Sequence, residues 1–420
     1  MKLLVFAHTP PPHHGQSYMV QLMLEGLGGD RRGAAVGGAP RGGVECYHVN
    51  CRYSEDLEDI GSFRFEKMCL VLRYCLEAIW CRFRYGVRAF YYVPAPGKRA
   101  ALYRDWVVML LCRPFFRDFI HHWHAVGLGD WLRSDATWIE RWLTHRLLGH
   151  CSLGVALAIP SMRDSLWFLS RRAEIVANGI PDPCPDFETA IVPRRRARLA
   201  ARRRFAAGEA LSEAQRADAG GDPGIFHVLF LAHCTREKGV FDTIDGVLAA
   251  NDTLLARKSV LRLHLTIAGG FLDVAEEQEL RSAIARHAEA ITYAGFVRGE
   301  TKAALLASSD AFCFPTYYPA EGQPVSVIEA IAYGLPVVTT QWRAIPEIFP
   351  ADYAGFVSPR SPDQVGAALM AAADGDGAGL RELFLARYTL GKYIEGMKEV
   401  ICAVGAGGMD GTDRVDAVVG

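Results

Sequence analysis

Short apolar runs alternate with longer amphipathic stretches over the first 180 residues. Leu3–His8, Val44–Asn50, Ala89–Val93, Phe119–His124 and Val155–Ile159 read as strands. Between them apolar positions recur at helical spacing, which predicts helices over Gln16–Leu27, Phe65–Phe83, Arg99–Cys112 and Thr137–Leu148. Strand then helix, repeated, predicts a parallel sheet covered on both faces. The turn-rich run Asn178-Gly179-Ile180-Pro181-Asp182-Pro183-Cys184-Pro185 breaks the pattern. A helical stretch follows in which seven of the eleven residues from Arg194 to Arg204 are arginine, closed by Gly220-Gly221-Asp222-Pro223-Gly224. It reads as a solvated helix in a linker or insertion, or, more sharply, as a contact for polyanions. The alternation then restarts. Strands are predicted over Phe226–Ala232, Leu261–Ala268, Ile291–Ala294, Ala311–Phe314 and Pro336–Thr340. Helices are predicted over Phe241–Ala250, Ala275–His287, Lys302–Ala307, Val325–Tyr333, Pro362–Ala373 and Leu390–Val404.

The pattern divides the 420 residues into a domain at 1–180, a linker with the arginine-rich segment at 181–224, a second domain at 225–385, and a helix and tail at 386–420. Half of the residues are hydrophobic and 22% are charged, so the chain buries substantial cores. Lys plus Arg is 46 and Asp plus Glu is 47, a balance that argues against a nucleic-acid partner. The eleven cysteines are odd in number and form no C-x-x-C pair. Cys69, Cys75, Cys81 and Cys313 sit among apolar residues and read as buried thiols in a reducing compartment. The apolar start Met1–Ala7 is too short for a signal peptide and runs into Pro10-Pro11-Pro12. No uncharged apolar window reaches the roughly 18 residues that a spanning helix needs. The expectation is a cytoplasmic protein.

Chemistry concentrates in few places. Gly26, Gly28 and Gly29 follow a helix rather than a strand, so the dinucleotide fingerprint is absent. Gly97-Lys98-Arg99 lacks the spacing of a phosphate-binding P-loop. His13-His14 and His121-His122 with His124 have no further ligands at metal spacing, and no metal is expected. Asp374-Gly375-Asp376 reads as a surface turn. The segment from Phe314 to Ala330 is different. A strand enters a loop and a helix starts at about Pro324, with free N–H groups on Val325 and Ser326 suited to an anion. Glu321 lies in the loop and Glu329 in the helix, on the face of Val325. One carboxylate can meet sugar hydroxyls and the other a ribose, with phosphate between. The plainer alternative is a helix start with one favourable acid and one solvated acid.

Glu321-x7-Glu329, followed by Ala330-Ile331-Ala332-Tyr333-Gly334-Leu335-Pro336, resembles the signature of retaining glycosyltransferase family 4, the glycosyl transferases group 1. The resemblance implies the GT-B fold, an α/β architecture of two facing Rossmann-like, doubly wound domains with an interdomain cleft. It implies that Glu321 contacts the donor sugar and Glu329 the nucleotide ribose, with Gly322, Gln323, Val325 and Ser326 lining the donor site. Phe230–Gly239 resembles the family's "GRL…KG" loop, which makes Lys238 the diphosphate ligand and puts His233 where an arginine is usual. Ala268-Gly269-Gly270 and Ala294-Gly295-Phe296-Val297 resemble the loops around the nucleoside. There Gly269, Phe296 and Val297 would serve the donor, although the glycines also read as plain turn residues. In the first domain, Pro11–Gln16 resembles the "P-P-x-G-G" loop, with His14 for the first glycine and Gly15 letting backbone approach the donor phosphate or the acceptor. His122-Trp123-His124 resembles His-x-His-Gly, which turns His124 to the transferred sugar. His121 and His122 read rather as core residues. Val176–Ile180 resembles the "NGI" turn.

Together these imply a retaining transferase that moves a hexose-type sugar from a nucleotide diphosphate sugar to a hydroxyl acceptor. The catalytic set is Glu321, His124 and Lys238. The nucleotide sugar is a co-substrate, no other cofactor is implied, and the acceptor is a saccharide or a lipid-linked one in cell-surface polysaccharide or glycolipid assembly. A GT-B-type epimerase or phosphorylase, or a degenerate scaffold, are the alternatives; intact Glu321, Glu329 and Lys238 disfavour the scaffold. From Arg64 to Arg117 there are eleven Lys and Arg against three Asp and Glu, interleaved with apolar residues. That mixture suits an anionic lipid surface and predicts peripheral contact at the inner membrane face. The competing reading turns Leu70, Leu72, Leu76 and Ile79 to the core and pairs Arg73 with Glu77 outside.

Overall fold

The computed structural model describes residues 1–11, 14–33, 43–53, 65–218, 220–373 and 378–405. His13, the Asp374–Asp376 turn, Arg64 and the tail past 405 lie outside the described residues. The chain forms two compact units, one of 1–179 with 390–420 and one of 180–389.

The first unit is built on β1 (Lys2–Phe6), β2 (Glu45–Val49), β3 (Ala89–Tyr92), β4 (Asp118–Trp123), β5 (Leu153–Ala156) and β6 (Ala173–Ile175). All pair in parallel, in the order β2-β1-β3-β4-β5-β6. A parallel strand covered on both faces is apolar along its length, and Leu3, Leu4, Val5 and Phe6 are all buried. Phe6 stacks on Phe90 of β3 at 5.3 Å between centroids. Helices Phe65–Tyr85, Arg99–Cys112 and Trp138–Leu148 lie side by side against this sheet. Helix Leu390–Gly405 returns to the first unit and packs on helix Gly15–Gly26. Gly26 is needed there, because a Cβ would come within 2.4 Å of Ile394 Cδ1.

The second unit holds β7 (Ile225–Leu231), β8 (Arg262–Ala268), β9 (Ile291–Gly295), β10 (Ala311–Phe314), β11 (Val337–Thr340) and β12 (Phe356–Val357). Their order is β12-β11-β10-β7-β8-β9, again parallel. In unit-local terms this is 6-5-4-1-2-3, the dinucleotide-fold order, and it reverses between β7 and β10. Loops leaving the carboxyl ends of those two strands therefore border the switch point.

Several expectations change. The run Val155–Ile159 is not all strand, since β5 ends at Ala156 and a helix with an early proline starts at Ile159. Cys69 is exposed rather than buried. The arginine-rich stretch is helical over Val192–Ala206, yet its inner face is fixed to the second unit rather than solvated. Arg198 and Arg202, one turn apart, both meet Asp310, at 3.0 and 2.8 Å, and all three are buried or nearly so. Arg195 donates to the Gly334 carbonyl at 2.7 Å. Arg194, Arg196, Arg203 and Arg204 stay exposed. Among the described residues no helix is long and apolar enough to cross a membrane.

Candidate active site

The loop after β7 carries His233 to Gly239. Gly239 has φ of 82° and would drive a Cβ to 2.4 Å from the Pro315 carbonyl oxygen, so only glycine lets this loop touch the one after β10. That contact is stitched by the backbone N–H of Tyr317 and the hydroxyl of Thr316, which both donate to the Glu237 carbonyl, at 2.8 and 3.1 Å. From β11, Thr339 donates to the Phe314 carbonyl at 2.8 Å and Thr340 to that of Thr316. The β10 exit loop is thus held from both sides.

This places Lys238 Nζ 2.7 Å from Glu321 Oε2. The Thr316 hydroxyl donates to the same oxygen at 2.9 Å. The Glu321 side chain is only 7% exposed, and such a buried carboxylate requires these partners. Among the described residues no protein donor reaches Oε1. The ammonium also lies over the Tyr318 ring at 4.6 Å. Gly322 and Gln323 are buried and lead to Pro324, which caps helix Val325–Ala332 with no side-chain acceptor. Val325 and Ser326 are half-buried at its start, and first-turn N–H groups have no partner within a helix. The predicted residues of this loop and helix thus surround one helix N-terminus.

Glu329 is also buried, and here the sequence reading missed a residue. Lys302 Nζ meets Glu329 Oε1 at 2.5 Å. Lys302 lies in the first turns of helix Gly299–Ser308, where a positive charge opposes the helix dipole. That mismatch is the signal by which it could have been found.

The remaining second-unit residues border the same strand ends. A Cβ on Gly269 would fall 1.7 Å from the Ala232 carbonyl oxygen, so glycine lets β8 leave close beside β7. Tyr293 donates to the Gly269 carbonyl at 2.8 Å. Val297 is buried, while Phe296 is 53% exposed, an uncovered ring at the edge of these loops. His233 is half-buried, and burial with the Lys238 charge lowers its pKa, which keeps it neutral. It cannot replace the charge of an arginine.

In the first unit, His14 caps helix Gly15–Gly26 through a ring nitrogen that accepts from the Ser17 N–H at 3.3 Å. Its other ring nitrogen lies 2.6 Å from His8 Nε2. Gly15 is exposed at the start of that helix. His124 follows β4 directly, with its ring 4.0 Å from that of His122, and its Nε2 is a buried atom with no partner among the described residues. Burial pulls its pKa down to about 3. His122 bonds the Tyr91 hydroxyl at 2.6 Å, and His121 is fully buried beside Trp123. Among the described residues no group of three or more His, Cys, Asp or Glu could hold a metal ion.

Residues 226–374 match the family described as glycosyl transferases group 1. The putative colanic acid biosynthesis glycosyltransferase WcaL of Salmonella typhimurium is 30% identical over 156 residues, 36% of each chain. The amylovoran biosynthesis glycosyltransferase AmsK of Erwinia amylovora is 29% identical over 149 residues, 34% of each. The chain thus spans about a third of the length of these relatives. Among solved structures, sucrose-phosphate synthase from Thermosynechococcus elongatus superposes with a TM-score of 0.67 at 15% identity, over 97% of this chain and 100% of that one. Anabaena HepE, solved in complex with UDP and glucose, gives 0.61 at 15%, over 96% and 100%. The fold is that of the GT-B glycosyltransferases.

Proposed function

We propose that this protein is a glycosyltransferase that moves a hexose-type sugar from a nucleotide diphosphate sugar to a hydroxyl acceptor, with retention of anomeric configuration. The observation that carries the reading is the Lys238–Glu321 pair beside the open start of helix Val325–Ala332, at the switch point of a dinucleotide-type sheet. The family match over these same residues and the UDP bound in the HepE structure support a nucleotide ligand there.

In this reading the diphosphate lies between Lys238 and the Val325 and Ser326 amides. Lys238 then exchanges part of its bond to Glu321 for a phosphate oxygen. As the bond from the sugar to the diphosphate breaks, negative charge grows on the leaving group, and preorganised donors in a water-poor site stabilise it. We assign that charge to Lys238 and the helix amides, without a metal ion. Glu321, held through Oε2, offers Oε1 to a sugar hydroxyl. Glu329, steadied by Lys302, takes the ribose. Phe296 and Val297 flank the base. To His124 we assign a sugar hydroxyl, since its ring is neutral and able to donate or accept; its unpartnered Nε2 fits that role. The acceptor belongs to the first unit and is a saccharide, free or lipid-linked, of cell-surface polysaccharide or glycolipid assembly, as the names of the relatives suggest. The protein works in the cytoplasm at the inner membrane face.

The test is product analysis. Nucleoside diphosphate should appear in step with a glycosylated acceptor whose anomeric configuration matches the donor's. Isomerised nucleotide sugar formed without any acceptor would contradict the reading and favour an epimerase.

A further inference from the structure

The opposite edge of the first sheet, where its strands begin, holds a second feature. The starts of β1, β3 and β4 border a concavity of about 470 Å³ lined by Lys2, Arg88, Arg117 and Asp118, with Gly86 and Cys402. The sheet register makes it basic. Ala89 pairs with Asp118, so the arginines preceding them stand side by side. The Arg117 N–H donates to the Arg88 carbonyl at 2.9 Å. Both side chains are exposed, and among the described residues neither has a carboxylate partner. Lys2 Nζ, on β1, donates to the Tyr85 carbonyl at 2.9 Å.

The turns that form this concavity also carry an apolar ridge. Helix Phe65–Tyr85 ends at it, and that helix is inverted relative to the usual amphipathic pattern. Its small residues Cys75, Ala78 and Cys81 face the core, while Leu76, Trp80 and Phe83 are 67%, 54% and 68% exposed. Leu72, Leu76, Trp80 and Phe83 form one stripe at helical spacing. The core-facing alternative for Leu72 and Leu76 therefore fails. Glu77 is paired instead with Arg32, at 2.5 Å. Phe115, two residues before Arg117, meets Phe83 at 5.9 Å, and Arg82 Nε donates to its carbonyl at 2.8 Å. Rings left in water and placed against a basic hollow are an unused binding surface.

The geometry points to a docking site for an anionic bilayer lipid, in which Lys2, Arg88 and Arg117 hold the lipid phosphate and Trp80, Phe83 and Phe115 enter the headgroup–acyl boundary. A free anion gives no use for the ridge, and an uncharged surface gives none for the hollow. The two side by side match the two halves of a lipid at a membrane face. This deepens the membrane part of the proposed function and is independent of the donor site.

The test is co-sedimentation of the full chain with phosphatidylcholine vesicles and with phosphatidylcholine–phosphatidylglycerol vesicles, at low and moderate salt. Wild type should bind the anionic vesicles and release with salt. Arg88→Ala/Arg117→Ala should bind them about thirty-fold more weakly. Arg257→Ala/Arg286→Ala, which removes the same charge from the second unit, should bind as wild type. Phe83→Ser/Phe115→Ser should also lose the vesicles. Far-UV circular dichroism and melting midpoints close to wild type in all variants show that both units fold. Wild-type vesicle binding by Arg88→Ala/Arg117→Ala overturns the phosphate hollow alone, as does an equal loss in both arginine pairs. Failure of wild type to bind any vesicle overturns the hollow and the membrane reading together. Binding of inorganic phosphate with no vesicle binding overturns the lipid.

Discussion

Glu321 and Glu329 are both buried, yet they are built for different work. Glu321 shares one oxygen between Lys238 and Thr316 and keeps the other without a protein donor among the described residues. Among the described residues Glu329 is tied to Lys302 alone. Loss of a hydrogen bond to a charged group costs about 1.5–3 kcal/mol, which is roughly one to two decades in an equilibrium or a rate. Glu329→Ala should therefore weaken nucleotide binding by about ten-fold or more in calorimetric titration. Glu321→Gln keeps the shape and loses the charge that holds Lys238, and should lower turnover more than donor affinity in steady-state assays. Unchanged affinity and rate in both variants would remove the assignment. The loop residues were legible because the acids, the proline and the glycine occupy a strand–loop–helix junction. Lys302 was marked only by its unfavourable place near a helix start, and its pairing with Glu329 was not legible, because the two are distant in sequence.

The arginine-rich helix shows why a charge run is ambiguous until its neighbours are known. Arg198 and Arg202 recur at one-turn spacing and converge on Asp310, whose Oδ2 also takes the His227 N–H at 2.8 Å. No local pattern marks Asp310, which sits at the head of β10. Removing one partner of a buried pair leaves charge uncompensated, at a cost of about 3–5 kcal/mol. Asp310→Ala should lower the melting temperature of the second unit by many degrees, whereas Arg203→Ala on the outer face should not. The short edge strands Ala173–Ile175 and Phe356–Val357 went unseen for the opposite reason, since three or two residues carry no periodicity. β4 supplies a pH dependence. Burial lowers the pKa of His121 to about 3, with the Arg113 charge adding to it. Its unfolded value is about 6.5. The unfolded chain thus binds the extra proton between these values, and stability falls as pH drops below about 6.5. In melting curves from pH 7 to pH 4.5, His121→Leu should show a shallower loss than wild type. Parallel curves would mean that the ring is solvated or charged in the fold.

At the scale of the molecule, the two α/β repeats were legible because covered parallel strands are apolar throughout and the helices between them are long. The strand order was not, and it is the order that brings the β7 and β10 exits together. The account rests on one statement, that a nucleoside diphosphate seats at that junction with its phosphates on Lys238. The direct measurement is thermal shift of the full chain with a panel of nucleoside diphosphates and their parent nucleosides, on wild type and Lys238→Ala. A ligand at a hundred times its Kd stabilises by about 2.7 kcal/mol, which a melting curve resolves. The account predicts that at least one diphosphate raises the wild-type midpoint, and that Lys238→Ala loses most of that shift while keeping the smaller shift with the nucleoside. A diphosphate shift of equal size in both proteins, or none with any diphosphate in the wild type, would contradict it.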